Sequence, residues 1–153
     1  MSNPISVLIA DDHESLREGL KILLEFEDDI RWVAEAVDGA EAVELAKQHR
    51  PDVVVMDITM PNMNGLEATR LIRAALPGTN VLIVSAEGDD TGVEQAVACG
   101  ALGFICKHTS LMNVPQAIRE IFAGNTFFAM SPPADTRLEG PDADAAPVER
   151  VQF

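Results

Sequence analysis

The sequence predicts an α/β fold, a doubly wound five-stranded parallel sheet with helices on both faces. Short apolar runs and amphipathic helical segments alternate five times, which is the pattern of successive right-handed βαβ units. The third run, Val53–Met56, is apolar without alternation, as expected for a strand buried on both faces of a parallel sheet. Polar residues follow four of the runs, at the edge where open α/β sheets bind ligands.

The predicted elements follow one another with short connections. The strands are predicted over Ile5–Ala10, Trp32–Ala36, Val53–Met56, Val81–Val84 and Phe104–Cys106. The first helix is predicted from Leu16, Leu20, Leu23 and Leu24, which recur at helical spacing after a cap at Asp12 or His13. The later helices are predicted around Ala42–Ala46 and over Leu66–Leu76, Thr91–Cys99 and Leu111–Phe122, with Pro115 in the first turn of the last one.

The composition argues against several classes of function. The formal net charge of −14 repels a phosphate backbone, so we do not expect these residues alone to bind DNA. No apolar run approaches the ~18 residues of a membrane span. Residues 1–4 carry no secretion signal, so we expect a cytoplasmic protein without a membrane partner. Cys99 and Cys106 lie in apolar surroundings, and we expect both to be buried rather than paired in a disulfide.

The chain is predicted to hold one domain and a tail. Residues 1–130 contain all the periodic segments and form the domain. Residues 131–153 are rich in Pro, Ala and Asp and have no sustained apolar period, so we expect a linker or disordered tail.

The polar residues at the predicted strand ends form a candidate site. Asp11, Asp12 and Asp57 would meet at one sheet edge, where their hard oxygen ligands suit Mg²⁺ and their mutual repulsion favours a bound cation. Asp57 can act as a nucleophile toward a phosphoryl group and form an acyl phosphate. Lys107 and Ser85 would then meet the charge on the phosphoryl oxygens.

These residues, in this order and spacing, resemble the receiver domain of two-component response regulators from Ile5 to about Phe128. The loop Ile58–Gly65 after Asp57 adds to the resemblance. The subtype is most similar to the NarL/FixJ regulators, which are LuxR-type transcriptional regulators. That similarity rests on Ala10–His13, Arg17–Leu20, Gly100–Ser110, Ala117–Arg119 and Ala123–Asn125.

The resemblance implies a flavodoxin-like (receiver) fold and a role for each site residue. Asp57 would be phosphorylated by a histidine kinase. Mg²⁺ would bind to Asp12, Asp57 and the Thr59 carbonyl, with Asp11 in support. Ser85 and Lys107 would contact the phosphoryl group, so that Asp57, Ser85 and Lys107 carry the chemistry.

The resemblance also implies a switch, formed here by Ser85 and Phe104. Phe104 matches the switch aromatic of receivers, which is usually Tyr or Phe. Because Phe cannot donate a hydrogen bond, any switch of this ring is one of packing, and a ring fixed in the core is the alternative. His108 stands where many receivers have Pro. His13 is expected to cap the first helix or lie exposed, rather than to bind a metal.

Several functions remain open at this level. NarL/FixJ regulators carry a helix-turn-helix after the receiver, and the present residues contain no basic recognition helix. We therefore expect either part of a transcription factor, which would bind DNA only through an appended domain, or a stand-alone receiver that acts by protein–protein contact. We also expect a homodimer, formed either by the fourth helix, fifth strand and last helix or by the first and last helices.

Two rival classes fit the sequence less well than a signalling module that is not an enzyme. An Asp-nucleophile, Mg²⁺-dependent phosphatase of the haloacid dehalogenase type needs a second acid two positions after the nucleophile, where this chain has Thr59. A nucleotide-binding flavodoxin-like or Rossmann domain needs a glycine-rich phosphate loop after the first strand, and none is present there.

Overall fold

A computed structural model describes residues 3–86, 90–107 and 111–129, apart from the side chains of Asp90 and Thr91. The strands are β1 Ile5–Ala10, β2 Ile30–Ala36, β3 Val53–Asp57, β4 Asn80–Ser85, β5 Gly103–Cys106 and β6 Phe127–Ala129. The helices are α1 Glu14–Glu25, α2 Gly39–His49, α3 Gly65–Ala75, α4 Asp90–Ala98 and α5 Val114–Phe122. Our predictions for His108 and for residues 131–153 lie outside the described residues.

The strands form a parallel sheet in the order β2-β1-β3-β4-β5-β6. Helices α2, α3 and α4 cover one face and α1 and α5 cover the other, so each strand contributes to two cores. In β3, Val54 and Met56 pack into the first core, whereas Val53 and Val55 pack into the second. The predicted doubly wound fold is confirmed, and the lack of alternation in β3 follows from burial on both faces.

The sheet has six strands in the described residues, one more than the sequence predicts. The additional strand, β6, pairs with β5, and the Phe127 amide donates to the Leu102 carbonyl at 3.0 Å. A side chain at Gly103 would place its Cβ 2.9 Å from the Phe127 carbonyl oxygen, so the close approach of β6 requires a glycine there. Three residues are too few for a period-2 pattern, which is why periodicity does not predict this strand.

Several predicted boundaries shift in the structure. β2 begins at Ile30, two residues before the predicted start, and is paired with β1 from that residue onward. The last helix begins at Val114 rather than Leu111, because Leu111–Asn113 form a 3₁₀ turn, and Pro115 does lie in its first turn. His13 is the N-cap residue of α1, but its side chain makes no capping hydrogen bond.

The structure bears on the two cysteines and on the membrane-spanning potential of the helices. Cys99 and Cys106 are both buried and form no disulfide, as predicted. Among the helices of the described ranges, none is both long and apolar enough to span a bilayer.

Gly65 fixes how the chain turns from β3 into α3. Its amide donates to the Ile58 carbonyl at 2.8 Å, which closes the loop that follows Asp57. A Cβ at this position would lie only 1.9 Å from the Asp57 carbonyl oxygen. The loop can therefore approach the end of β3 only because residue 65 has no side chain.

Gly65→Ala is predicted to destabilise the domain by about 1–3 kcal/mol, because the new methyl group must displace the backbone at Asp57. Gly19→Ala is the matched control. Gly19 lies inside α1, and a Cβ added to it would meet no atom within 4 Å, so alanine should stabilise by up to about 1 kcal/mol. Urea unfolding of both variants measures the two effects, and equal stability of Gly65→Ala and the native protein would contradict the argument.

Candidate functional site

The carboxyl ends of β1, β3, β4 and β5 bring the predicted site residues to one edge of the sheet. Ala10 pairs with Met56, so Asp11 and Asp57 leave neighbouring strands at the same level. Asp57 pairs with Val84, and Ser85 pairs with Cys106, which places Ser85 and Lys107 at the next two strand ends. The position of every group in this set follows from the register of parallel strands.

Lys107 bridges two carboxylates at this edge. Its Nζ lies 2.9 Å from Asp11 Oδ2 and 3.2 Å from Asp57 Oδ1. The three side chains are only 11%, 2% and 4% exposed, respectively, so water screens these ion pairs weakly. Burial disfavours the charged form of Lys107, but the hydrogen bond to Asp11 and the charges of Asp57 and Asp11 outweigh it and raise the pKa of the lysine.

Asp57 is held in an environment that disfavours its charge. Burial raises the pKa of its carboxyl group, the neighbouring charge of Asp11 raises it further, and Lys107 only partly opposes the shift. Its second oxygen, Oδ2, is buried and has no hydrogen-bond partner among the described residues. Because this oxygen is already desolvated, it can accept a hydrogen bond or bind a cation at little further desolvation cost.

The acidic residues at this edge fit a divalent cation. One ligand atom from each of Asp11, Asp12, His13 and Asp57 can be chosen so that all lie within 4.8 Å of one another. Three of the four groups are carboxylates, which are the hard oxygen ligands that Mg²⁺ takes. Oδ2 of Asp57 is a candidate ligand atom, because no described residue forms a hydrogen bond with it.

His13 lies beside the acidic residues but remains largely in solvent. Its Nδ1 is 3.1 Å from Asp11 Oδ1 and 3.2 Å from Asp12 Oδ1, while its side chain is 66% exposed. The prediction that it caps α1 or lies exposed is confirmed in position and exposure, although its ring caps no amide.

The other predicted residues lie on β4, on β5 and in the loop after β3. Ser85 is buried at the end of β4, and Phe104 is fully buried in β5, in the core under α2, α3 and α4. Thr59 is exposed in the loop after β3. Asn62 fixes that loop by donating to Asp38 Oδ2 at 2.6 Å. The roles of Ser85, Thr59 and Phe104 stay predictions.

Sequence reasoning assigns no role to Arg17, which contacts the site. Its Nη1 donates to the Asp11 carbonyl at 2.8 Å, and its Nε donates to Glu35 Oε1 at 2.9 Å. In the sequence, Arg17 stands out only as part of a family motif. The signal that could have revealed it is its position one turn after His13, on the helix that leaves the site.

The protein is thus a doubly wound domain with an acidic pocket that a lysine bridges and that could hold a divalent cation. Comparison with known families identifies the class further. The family model described as "Response regulator receiver domain" matches residues 7–119, and the chain belongs to that family. The predicted receiver fold and family are therefore confirmed.

Individual relatives support the LuxR-type subtype. The transcriptional regulatory protein DegU of Brevibacillus brevis is 37% identical over 125 residues, which cover 82% of this chain and 53% of DegU. The transcriptional regulatory protein LnrK of Bacillus subtilis is 38% identical over 120 residues, which cover 78% of this chain and 54% of LnrK. The chain thus spans about half the length of the curated relatives it matches.

Solved structures of response regulators are also similar to this chain, and one of them belongs to the LuxR family. A LuxR-family two-component response regulator from Aurantimonas sp. matches with a TM-score of 0.78 and 32% identity, covering 97% of this chain and 98% of that one. The receiver domain of the response regulator NarL from Mycobacterium tuberculosis matches with a TM-score of 0.77 and 35% identity. That match covers 81% of this chain and 100% of the NarL domain.

Asp57→Asn is predicted to raise the stability of the metal-free protein at neutral pH, because the buried charge of Asp57 is disfavoured. The folded-state pKa is raised, so below the unfolded-state value of about 4 both states are protonated and the charge costs nothing. As the pH rises from there to the higher folded-state pKa, the native protein loses stability, and the advantage of the asparagine grows. Above that pKa the advantage is constant.

Thermal melts from pH 3.5 to 7.5 in the presence of EDTA would measure this difference. Asp28→Asn serves as the control, because Asp28 is an exposed aspartate in the connection between α1 and β2. A native protein that is as stable as Asp57→Asn across the whole range would contradict the prediction.

Proposed function

We propose that this chain is the phosphoacceptor receiver domain of a two-component response regulator, and that Asp57 takes a phosphoryl group from a histidine kinase in the presence of Mg²⁺. One observation carries the proposal: Asp57 is buried at the end of β3 with Lys107 on one oxygen and no described partner on the other. Such a carboxylate is oriented, lies among acidic neighbours and retains an oxygen for new bonds.

The chemistry assigned to Asp57 is nucleophilic attack. A carboxylate oxygen forms a bond to phosphorus as the P–N bond of the kinase phosphohistidine breaks, and the imidazole nitrogen leaves with the electron pair. The product is an acyl phosphate. Lys107 Nζ already lies 3.2 Å from Asp57 Oδ1, so it can donate to a phosphoryl oxygen, and Ser85 at the adjacent strand end supplies a hydroxyl donor.

The proposed metal ligands are Asp11, Asp12 and Asp57, with the Thr59 carbonyl. When Mg²⁺ is bound there, it supplies positive charge that offsets the charge of the phosphoryl oxygens. The carboxylates themselves hold the ion and orient it next to the nucleophile.

The proposed output is control of transcription by the whole protein. DegU and LnrK are named transcriptional regulatory proteins, and the chain aligns with about half of each. A formal net charge of −14 argues that DNA contact belongs to an appended domain. The domain would act in the cytoplasm with its kinase, as a signalling protein. A stand-alone receiver that acts by protein contact is the alternative.

We further propose that phosphorylation favours a homodimer, through a packing change that involves Ser85 and Phe104. The surface formed by α1 and α5 is better supported than the one formed by α4, β5 and α5. Both surfaces include α5 with its exposed Phe122 and the preceding Met112, but the first adds Ile22 of α1 and Phe26 directly after α1, whereas the second adds only Val97 among the described side chains. Ile22 and Phe26 are 56% and 80% exposed, and Met112 and Phe122 are 77% and 50% exposed. The described side chains of α4 expose only Val97 to a comparable degree, at 53%.

Incubation with acetyl phosphate and Mg²⁺ is expected to add one phosphoryl group to the native protein and none to Asp57→Asn, because the asparagine lacks the nucleophilic oxygen. Intact-mass spectrometry measures the adduct. Asp52→Asn is the control, since Asp52 flanks the other end of β3 and its carboxylate accepts from the Ser6 amide. This variant should be phosphorylated like the native protein.

An adduct of the same yield on Asp57→Asn would refute the assignment, and peptide mapping would show whether Ser85 had taken the group instead. Sustained phosphate release from many equivalents of donor would favour the phosphatase alternative.

Beryllofluoride with Mg²⁺ mimics the phosphorylated state and is expected to shift the protein from monomer to dimer. Phe26→Asp should abolish the shift, because a buried charge opposes association, whereas Val97→Asp should leave it intact. Sedimentation velocity measures both. Loss of the dimer only in Val97→Asp would move the interface to α4, and a native protein that stays monomeric at every concentration would contradict dimerisation.

A further inference from the structure

We infer that Arg17 is a positioning residue for the cation site, and that it holds the loop bearing Asp11 and Asp12 in its ligand geometry. The inference rests on the proposed function, since it concerns how the same site is kept ready for Mg²⁺. The hydrogen bonds of Arg17 reach neither the nucleophile nor a ligand oxygen, so it would act only through the backbone of Asp11.

One guanidinium joins three parts of the fold. Arg17 belongs to α1, its Nη1 donates to the Asp11 carbonyl at 2.8 Å, and its Nε donates to Glu35 Oε1 of β2 at 2.9 Å. The side chain of Arg17 is only 13% exposed and that of Glu35 is 31% exposed, so water screens this contact only in part. The planar fork of arginine can serve both acceptors at once, which a lysine ammonium does less well.

Lys21 holds the Glu35 carboxylate in place and favours its ionised form. Lys21 Nζ lies 2.8 Å from Glu35 Oε2 and 2.7 Å from Glu18 Oε2, and it sits 4.9 Å from the centre of the Trp32 ring. The hydrogen bond from Lys21, together with that from Arg17, lowers the pKa of Glu35 despite its burial. Arg17 is therefore fixed at its β2 end by a carboxylate whose own position is constrained.

The loop after β1 needs such an anchor. Its backbone is tied to β2 by the Asp11 amide, which donates to the Ala36 carbonyl at 3.1 Å. Beyond this point, Asp11, Asp12 and Asp57 carry like charges, with ligand atoms within 4.8 Å of one another, and they repel one another. The Arg17 hydrogen bond on the Asp11 carbonyl opposes an outward movement of the loop.

An electrostatic role and a positioning role of Arg17 predict opposite effects of its removal on the affinity for Mg²⁺. Removal of a cation near an acidic site should strengthen Mg²⁺ binding if charge alone matters. Removal of a group that orients a metal ligand should weaken binding, and groups of that kind commonly contribute tenfold or more to affinity. The sign of the change therefore separates the two roles.

Isothermal titration of the 153-residue protein with MgCl₂ measures the effect. Arg17→Met is expected to raise the Mg²⁺ Kd about tenfold. Arg119→Met is the matched control, because the Arg119 guanidinium also bridges two carboxylates, Asp29 and Glu27, which lie outside the site. It should lower the Tm and change the Kd by less than about twofold, as expected for an ion pair remote from the ligands.

Arg17→Lys provides a second variant that keeps the charge opposite Glu35. It should also bind Mg²⁺ more weakly, because an ammonium serves Glu35 and the Asp11 carbonyl together less well than the planar fork of arginine does. Circular dichroism of each variant verifies that the fold persists before titration.

Each outcome has a distinct meaning. If the native protein itself does not bind Mg²⁺, the proposed function fails. If the native protein binds and both Arg17 variants bind equally well or more tightly, the positioning role fails while the proposed function stands. An equal loss of affinity in Arg119→Met would also overturn the inference, because it would show a general effect of stability.

Discussion

The ion bridge from Lys107 to Asp11 and Asp57 is the interaction on which the site depends. Two carboxylates buried side by side repel each other, and the lysine ammonium at 2.9 and 3.2 Å offsets that repulsion. The offset is incomplete, since the pKa of Asp57 remains raised and its Oδ2 has no described partner. The pocket is thus stable enough to fold and still deficient in positive charge, which favours a divalent cation.

The order of the strands in the sheet brings the three residues of this bridge together. In the order β2-β1-β3-β4-β5-β6, β1 and β3 are neighbours, and β4 separates β3 from β5. Asp11 and Asp57 therefore emerge side by side, and Lys107 must extend across the end of β4 to reach them. The strand order reverses next to β1, which is the place where open α/β sheets bind ligands.

The loops around the bridge are held by contacts that involve no ligand atom. Gly65 allows the loop after β3 to close against Asp57, and Asn62 ties that loop to Asp38. Arg17 ties the loop after β1 to Glu35. These contacts oppose the repulsion between the acidic groups and so help to keep the ligand atoms at their spacing. The residues that make them cannot be exchanged freely.

The fold class, the first five strands and the site residues at their ends can be predicted from the sequence alone, because burial on both faces makes the central parallel strands almost wholly apolar and polar groups then follow them at their ends. The tertiary structure alone reveals the pairing of β6, because three residues are too few to show a period. It also decided the partners of Lys107 and Arg17, because a contact between residues as far apart as Asp11 and Lys107 depends on strand order and register, which periodicity along the chain does not encode.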